Sequence, residues 1–98
     1  MEKDTLLEIL QANRVQIKSF GISLLGIFGS FARNEQSDTS DIDVIVEFEN
    51  GQKSYKKFIG LVYYLEDLLQ RKVDVLTFQS VSPLLKERIE KEVTYVSL

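Results

Sequence analysis

Between Asp41 and Glu49 the chain reads Asp-Ile-Asp-Val-Ile-Val-Glu-Phe-Glu, and no other stretch limits its fold as much. Ile42, Val44, Val46 and Phe48 recur at every second position, with Asp41, Asp43, Ile45, Glu47 and Glu49 between them. This is the period-two signature of a strand with one face on a core. Asn50-Gly51 then ends the strand as a turn. The same segment raises a difficulty. Two carboxylates at the head of an aliphatic run cost free energy unless positive charge sits between them.

The rest of the chain alternates helical and extended patterns. Thr5 to about Phe20 reads as a helix, with Thr5-Leu-Leu-Glu8 as a capping box and Leu6, Leu10, Ile17 and Phe20 as its apolar stripe. Gly21 stops it, and Ile22 to Phe28 reads as a buried strand running into Gly29-Ser30. Phe31 to about Glu35 forms a short helix or turn, followed by a polar loop, Gln36 to Ser40. Tyr55 to Gln70 is the clearest helix, built on Phe58, Leu61, Val62, Leu65, Leu68 and Leu69, with Gly60 its weak point. Lys72 to Phe78 reads as a third strand. Ser82 and Pro83 supply an N-cap and first helical position for a last helix through about Lys91, with Glu87 and Lys91 at the supportive i,i+4 spacing. Thr94 to Leu98 is a final short strand. The expected fold is α/β (α+β), a small mixed sheet with helices on one face, formed by residues 1–98 as a single domain. The other face stays partly open, with Asp41, Asp43 and Asp74 pointing to it.

Composition narrows the chemistry. The chain of 98 residues has no cysteine and no histidine, so thiolate nucleophiles, imidazole bases and Cys- or His-ligated metals are excluded. Catalysis must then use carboxylates, Lys, Arg, Ser, Tyr, backbone N–H groups and a hard metal ion. A formal charge of −3 argues against a nucleic-acid partner. No apolar run approaches the ~20 residues of a membrane span and no signal-peptide layout is present, so the expected location is the cytoplasm, with no membrane partner.

Asp41 and Asp43, two apart on a strand, point the same way and lie roughly 6.5 Å apart along it. Such a pair converges on a cation but repels without one. Asp74, between Val73 and Val75, joins them if the two strands are neighbours. Three acids on a rigid sheet suit Mg²⁺. Upstream, Gly29 permits close backbone approach, and at a strand-to-helix turn the following N–H groups and the Ser30 hydroxyl point at an anion. Acids for metal beside N–H groups for phosphate make a nucleoside-triphosphate site.

Gly29-Ser30, ten residues from Phe31 to Ser40, then Asp41-Ile42-Asp43, with Arg33 just after the Gly-Ser, resemble the signature of the minimal nucleotidyltransferases. These MNT proteins are compact relatives of the polymerase-beta-like nucleotidyltransferase superfamily. The resemblance spans Ile22 to about Phe78. It implies the nucleotidyltransferase fold, with Asp41 and Asp43 holding Mg²⁺ (two ions) and Asp74 helping to hold the catalytic metal and favouring deprotonation of the acceptor hydroxyl. It also implies triphosphate binding by Gly29 and Ser30. Many relatives are antitoxins of a helical HEPN ribonuclease toxin, which implies AMP transfer from ATP to a toxin tyrosine and a hetero-oligomer, or else a homodimer. The family's usual Gly after Ala32-Arg33 is Asn34 here, the non-glycine residue that best tolerates a left-handed backbone.

The plainer readings are a solvated strand entry for Asp41 and Asp43, an edge-strand acid for Asp74 and a helix cap for Ser30. Arg33 divides between a phosphate ligand and a structural partner of Asp38 or Glu35. Ser40 divides between a turn residue and a nucleotide contact. Lys53, Lys56, Lys57, Arg71 and Lys72 read as solvated charges, and Tyr55, Tyr63 and Tyr64 as decoration of a core helix. The main functional alternative is a catalytically dormant antitoxin that neutralises its toxin by contact.

Overall fold

The alternating segment becomes β2 (Ile42–Phe48), an inner strand of a four-stranded mixed sheet. The computed structural model describes residues 1–98. β2 pairs antiparallel with β1 (Ile22–Phe28) and parallel with β3 (Val73–Thr77), while β4 (Thr94–Val96) adds antiparallel to the free edge of β1. The sheet order is β3-β2-β1-β4. A hairpin cannot join parallel strands. The helix seen in the sequence between β2 and β3 provides the crossover: α4 (Tyr55–Leu69), capped by the Ser54 hydroxyl accepting from the Lys57 N–H.

The register sorts the side chains as the alternation requires. Leu25, Ile27, Ile42, Val44, Val46, Phe48, Val73, Val75 and Val96 share one face and one core cluster. Onto this face pack Leu6 and Leu10 of α1 (Lys3–Ala12), Ile17 of α2 (Arg14–Lys18), and Leu61, Leu65 and Leu69 of α4. Gly60, poor in helix propensity, makes room here. A Cβ on it would stand 3.1 Å from the ring of Phe20.

The other face is partly open. Asp43, Ile45 and Glu47 belong to it, and Ile45 alone of these is fully buried. α5 (Pro83–Glu92) ends above it, so that Val93 lies over Gly26, the register partner of Ile45. Ser82 caps α5 through the Leu85 N–H, and Lys91 pairs with Glu87 at 3.6 Å.

The first helix departs from its expected form. It starts at Lys3, with Glu2 as N-cap and no side-chain cap, so Thr5 lies inside the helix and the capping box is not used. It also breaks at Asn13 rather than running on to Phe20. The cause is the Asn13 amide, which donates to the Ile9 carbonyl at 2.8 Å and accepts from the Tyr64 hydroxyl at 3.3 Å. Asn competes with the backbone in this way, and the tertiary bond from Tyr64 holds it there.

Candidate active site

One end of the sheet gathers the end of β1 and the starts of β2 and β3, because β1 runs against the other two. Asp43 stands opposite Phe28 on one side and Asp74 on the other. Neighbouring strands lie about 4.8 Å apart, so Asp74 joins the first two acids as the parallel pairing requires. Asp41 and Asp74 are exposed, and Asp43 is half-buried. Burial pushes the Asp43 carboxyl above its ordinary value, and the charges of Asp74 and then Asp41 push it further; Arg33 opposes them.

Gly29 follows Phe28 with φ +70 and opens the short α3 (Gly29–Ala32). A Cβ at this position would lie 2.1 Å from Asp43 Oδ2. Glycine is required twice over, for the left-handed backbone and for the approach of the carboxylate. Ser30 is the second residue of α3, and Phe28 occupies the N-cap position, so Ser30 does not cap the helix. The turn closes at Asn34, with φ 57 and the Glu35 N–H donating to the Ser30 carbonyl at 2.9 Å. Asn34 replaces glycine at a left-handed position, as its chemistry allows.

Arg33 lies beside this turn with two acidic partners. Its Nε donates to Glu35 Oε1 at 2.8 Å, and a terminal nitrogen donates to Glu92 Oε2 at 2.9 Å. Glu35 was one of the two partners expected; Asp38 is not used. Ser40 accepts the Ser37 N–H on its hydroxyl at 2.8 Å, a turn role.

Three contacts had no sequence signal. The other oxygen of Glu92 accepts the Gly29 N–H at 3.0 Å, across 63 residues of chain. Burial raises the Glu92 carboxyl, but the hydrogen bonds from Arg33 and Gly29 outweigh it, leaving the group below its ordinary value. Lys3 Nζ donates to the Ala32 carbonyl at 3.0 Å, at the end of α3. Arg71 is half-buried and corrects its reading as a solvated charge. Its guanidinium donates to the Ser37 and Ser40 carbonyls at 3.2 and 2.9 Å and lies 5.3 Å from the centre of the Phe31 ring. It therefore ties down the loop that delivers Asp41.

Three carboxylates, with no histidine or thiolate, form a donor set for a hard cation such as Mg²⁺. Burial first, and then the charges of Asp74 and Asp41, raise the Asp43 carboxyl, and a cation would relieve the part due to those charges. The side chains suit such an ion by their chemistry, and no three acids here stand at metal-ligand spacing.

Residues 5–96 match the family model described as a nucleotidyltransferase domain. A Methanocaldococcus jannaschii protein provisionally named a protein adenylyltransferase is 54% identical over 72 residues, covering 74% of this chain and 76% of that protein. The protein adenylyltransferase MntA of Thermococcus cleftensis is 38% identical over 89 residues, covering 90% and 89% of the two chains. A solved structure described as a minimal nucleotidyltransferase superposes with a TM-score of 0.84 at 31% identity, over 96% of this chain and 95% of that one. The MNT antitoxin complex with a tri-AMPylated HEPN toxin of Shewanella oneidensis shares the fold (TM-score 0.65, 17% identity, 91% and 70% covered). With the Gly29 turn packed on Asp43, and with a sequence match spanning nearly every residue, the chain belongs to the nucleotidyltransferase domain family.

Proposed function

We propose that this protein transfers AMP from ATP to a hydroxyl group of a partner protein, a tyrosine of a HEPN-type toxin that it neutralises. One observation carries the reading: Asp43 meets Asp74 in register on one side and the Gly29 turn on the other. This arrangement supports a polyphosphate site and an acceptor site side by side on rigid elements. Two relatives bear the name protein adenylyltransferase, and the AMPylated toxin complex supplies a precedent for the acceptor.

Asp41, Asp43 and Asp74 would hold Mg²⁺, which when bound neutralises triphosphate and pyrophosphate charge. Backbone N–H groups at the Gly29 turn, the Ser30 hydroxyl and Arg33 hold the triphosphate, with Ser40 at the loop edge of the same site. Asp74 orients the acceptor hydroxyl and favours loss of its proton. The acceptor oxygen then bonds to the α-phosphorus in line as the bond to the bridging oxygen breaks, and pyrophosphate departs. The acceptor comes with the partner, so a hetero-oligomer is the working form and the cytoplasm its setting.

The test is incubation with labelled ATP, Mg²⁺ and the product of the neighbouring gene. Label should appear on that protein and disappear with Asp41→Asn/Asp43→Asn. Absence of transfer, or transfer undiminished in the double variant, would refute the proposal. Retained neutralisation by the double variant in cells would instead favour a contact-only antitoxin.

A further inference from the structure

Glu92 occupies a position in which a carboxylate has little reason to be. It is the last residue of α5, where the helix dipole disfavours negative charge. It also lies close enough to Asp43 for the two charges to oppose one another. Its compensation comes from the cradle: the Gly29 N–H reaches one oxygen at 3.0 Å and Arg33 the other at 2.9 Å. Arg88 adds a favourable charge. A backbone N–H at a left-handed glycine and a guanidinium are donors that a phosphate would use, and a carboxylate presents two oxygens to them much as a phosphate does. One anion can hold both donors at a time.

We infer that Glu92 is a built-in stand-in for a phosphate group, which the polyphosphate of the nucleotide must displace to engage the Gly29 turn and Arg33. The inference rests on the nucleotidyl-transfer reading and deepens it. Glu92 sets the affinity threshold of the site. A metal-bound triphosphate brings enough charge and enough acceptor oxygens to take both donors from the carboxylate. A nucleoside monophosphate does not. Glu35 has a different part: it keeps the Nε side of Arg33 paired in both states, so that the guanidinium is not released when Glu92 leaves.

Calorimetric titration of the full chain with Mg·ATP, and separately with adenosine, tests the assignment. Glu92→Gln keeps the shape and removes the charge. It should bind Mg·ATP on the order of tenfold more tightly than wild type, with the affinity for adenosine, which has no phosphate, unchanged. Glu92→Asp, which keeps the charge on a shorter stem, should also tighten Mg·ATP binding and serves if the Gln variant does not fold. Equal or weaker Mg·ATP binding by folded variants overturns the inference and leaves the proposed reaction standing, because Glu92 would then be a clamp that holds the cradle open for nucleotide. Equal tightening for adenosine and ATP also overturns it. If neither wild type nor variants bind Mg·ATP, the inference and the nucleotide reading fall together.

Discussion

In the free protein Asp43 is held at a cost. Its carboxyl is half-buried, faces Asp74 across the parallel pair and has Gly29 packed against one oxygen. Burial comes first, then the charges of Asp74 and Asp41, and together they raise its pKa. An acid whose folded-state pKa exceeds its unfolded one destabilises the fold while ionised, and the penalty disappears as pH falls to the ordinary aspartate range. Asp43→Asn should therefore unfold at a higher temperature than wild type at neutral pH, without added metal. The gap should close as the solution is acidified through the raised pKa, which a series of thermal melts will show. Transfer activity should fall about 100-fold or more in the same variant. A site residue that opposes folding is where local rules are expected to fail.

At the scale of elements, the loop from Gln36 to Ser40 gives the starts of β2 and β3 their coherence. Arg71 leaves the end of α4 and bridges two carbonyls of that loop while stacking on Phe31, a core residue of α3. The geometry uses the planar fork of arginine, which lysine cannot copy. Arg71→Ala should lower transfer activity several-fold, mainly through a higher KM for ATP, with a small fall in Tm. Arg71→Lys should rescue little of it, and steady-state kinetics on the two variants decides the point. Elements with strong periodicity were readable in advance: β1 and β2, α4, β3, and α5 behind Ser82-Pro83. The first helix was not, because its break at Asn13 depends on Tyr64, a residue 51 positions away.

At the scale of the molecule, a single apolar layer holds the site in shape. Seventeen buried residues from α1, α2, α3, α4 and all four strands form one cluster on one face of the sheet. Leu65, fully buried on α4, belongs to this cluster. Leu65→Ala should cost about 2–5 kcal/mol, a large share of the 5–15 kcal/mol typical of a small domain, measurable by urea unfolding. Because the residue packs in the core cluster rather than among the acids, activity per folded molecule should stay near wild type.

The order of apolar and polar residues was enough to specify the strands, the later helices and the turns, and spacing marked an acidic strand head and a Gly-Ser turn. Those features depend on spacings of a few residues, where local geometry leaves few choices. The tertiary structure alone decided which charges meet. Asp74 meets Asp43 through the parallel pairing of β2 and β3, whereas the expected site assumed only that the two strands were neighbours. Glu92 on Gly29 and Arg33, Lys3 on Ala32, and Arg71 on the loop before Asp41 are contacts between segments far apart in the chain. No local period encodes them, since each arises where elements packed for apolar burial bring a charged end within reach of backbone or guanidinium donors and acceptors.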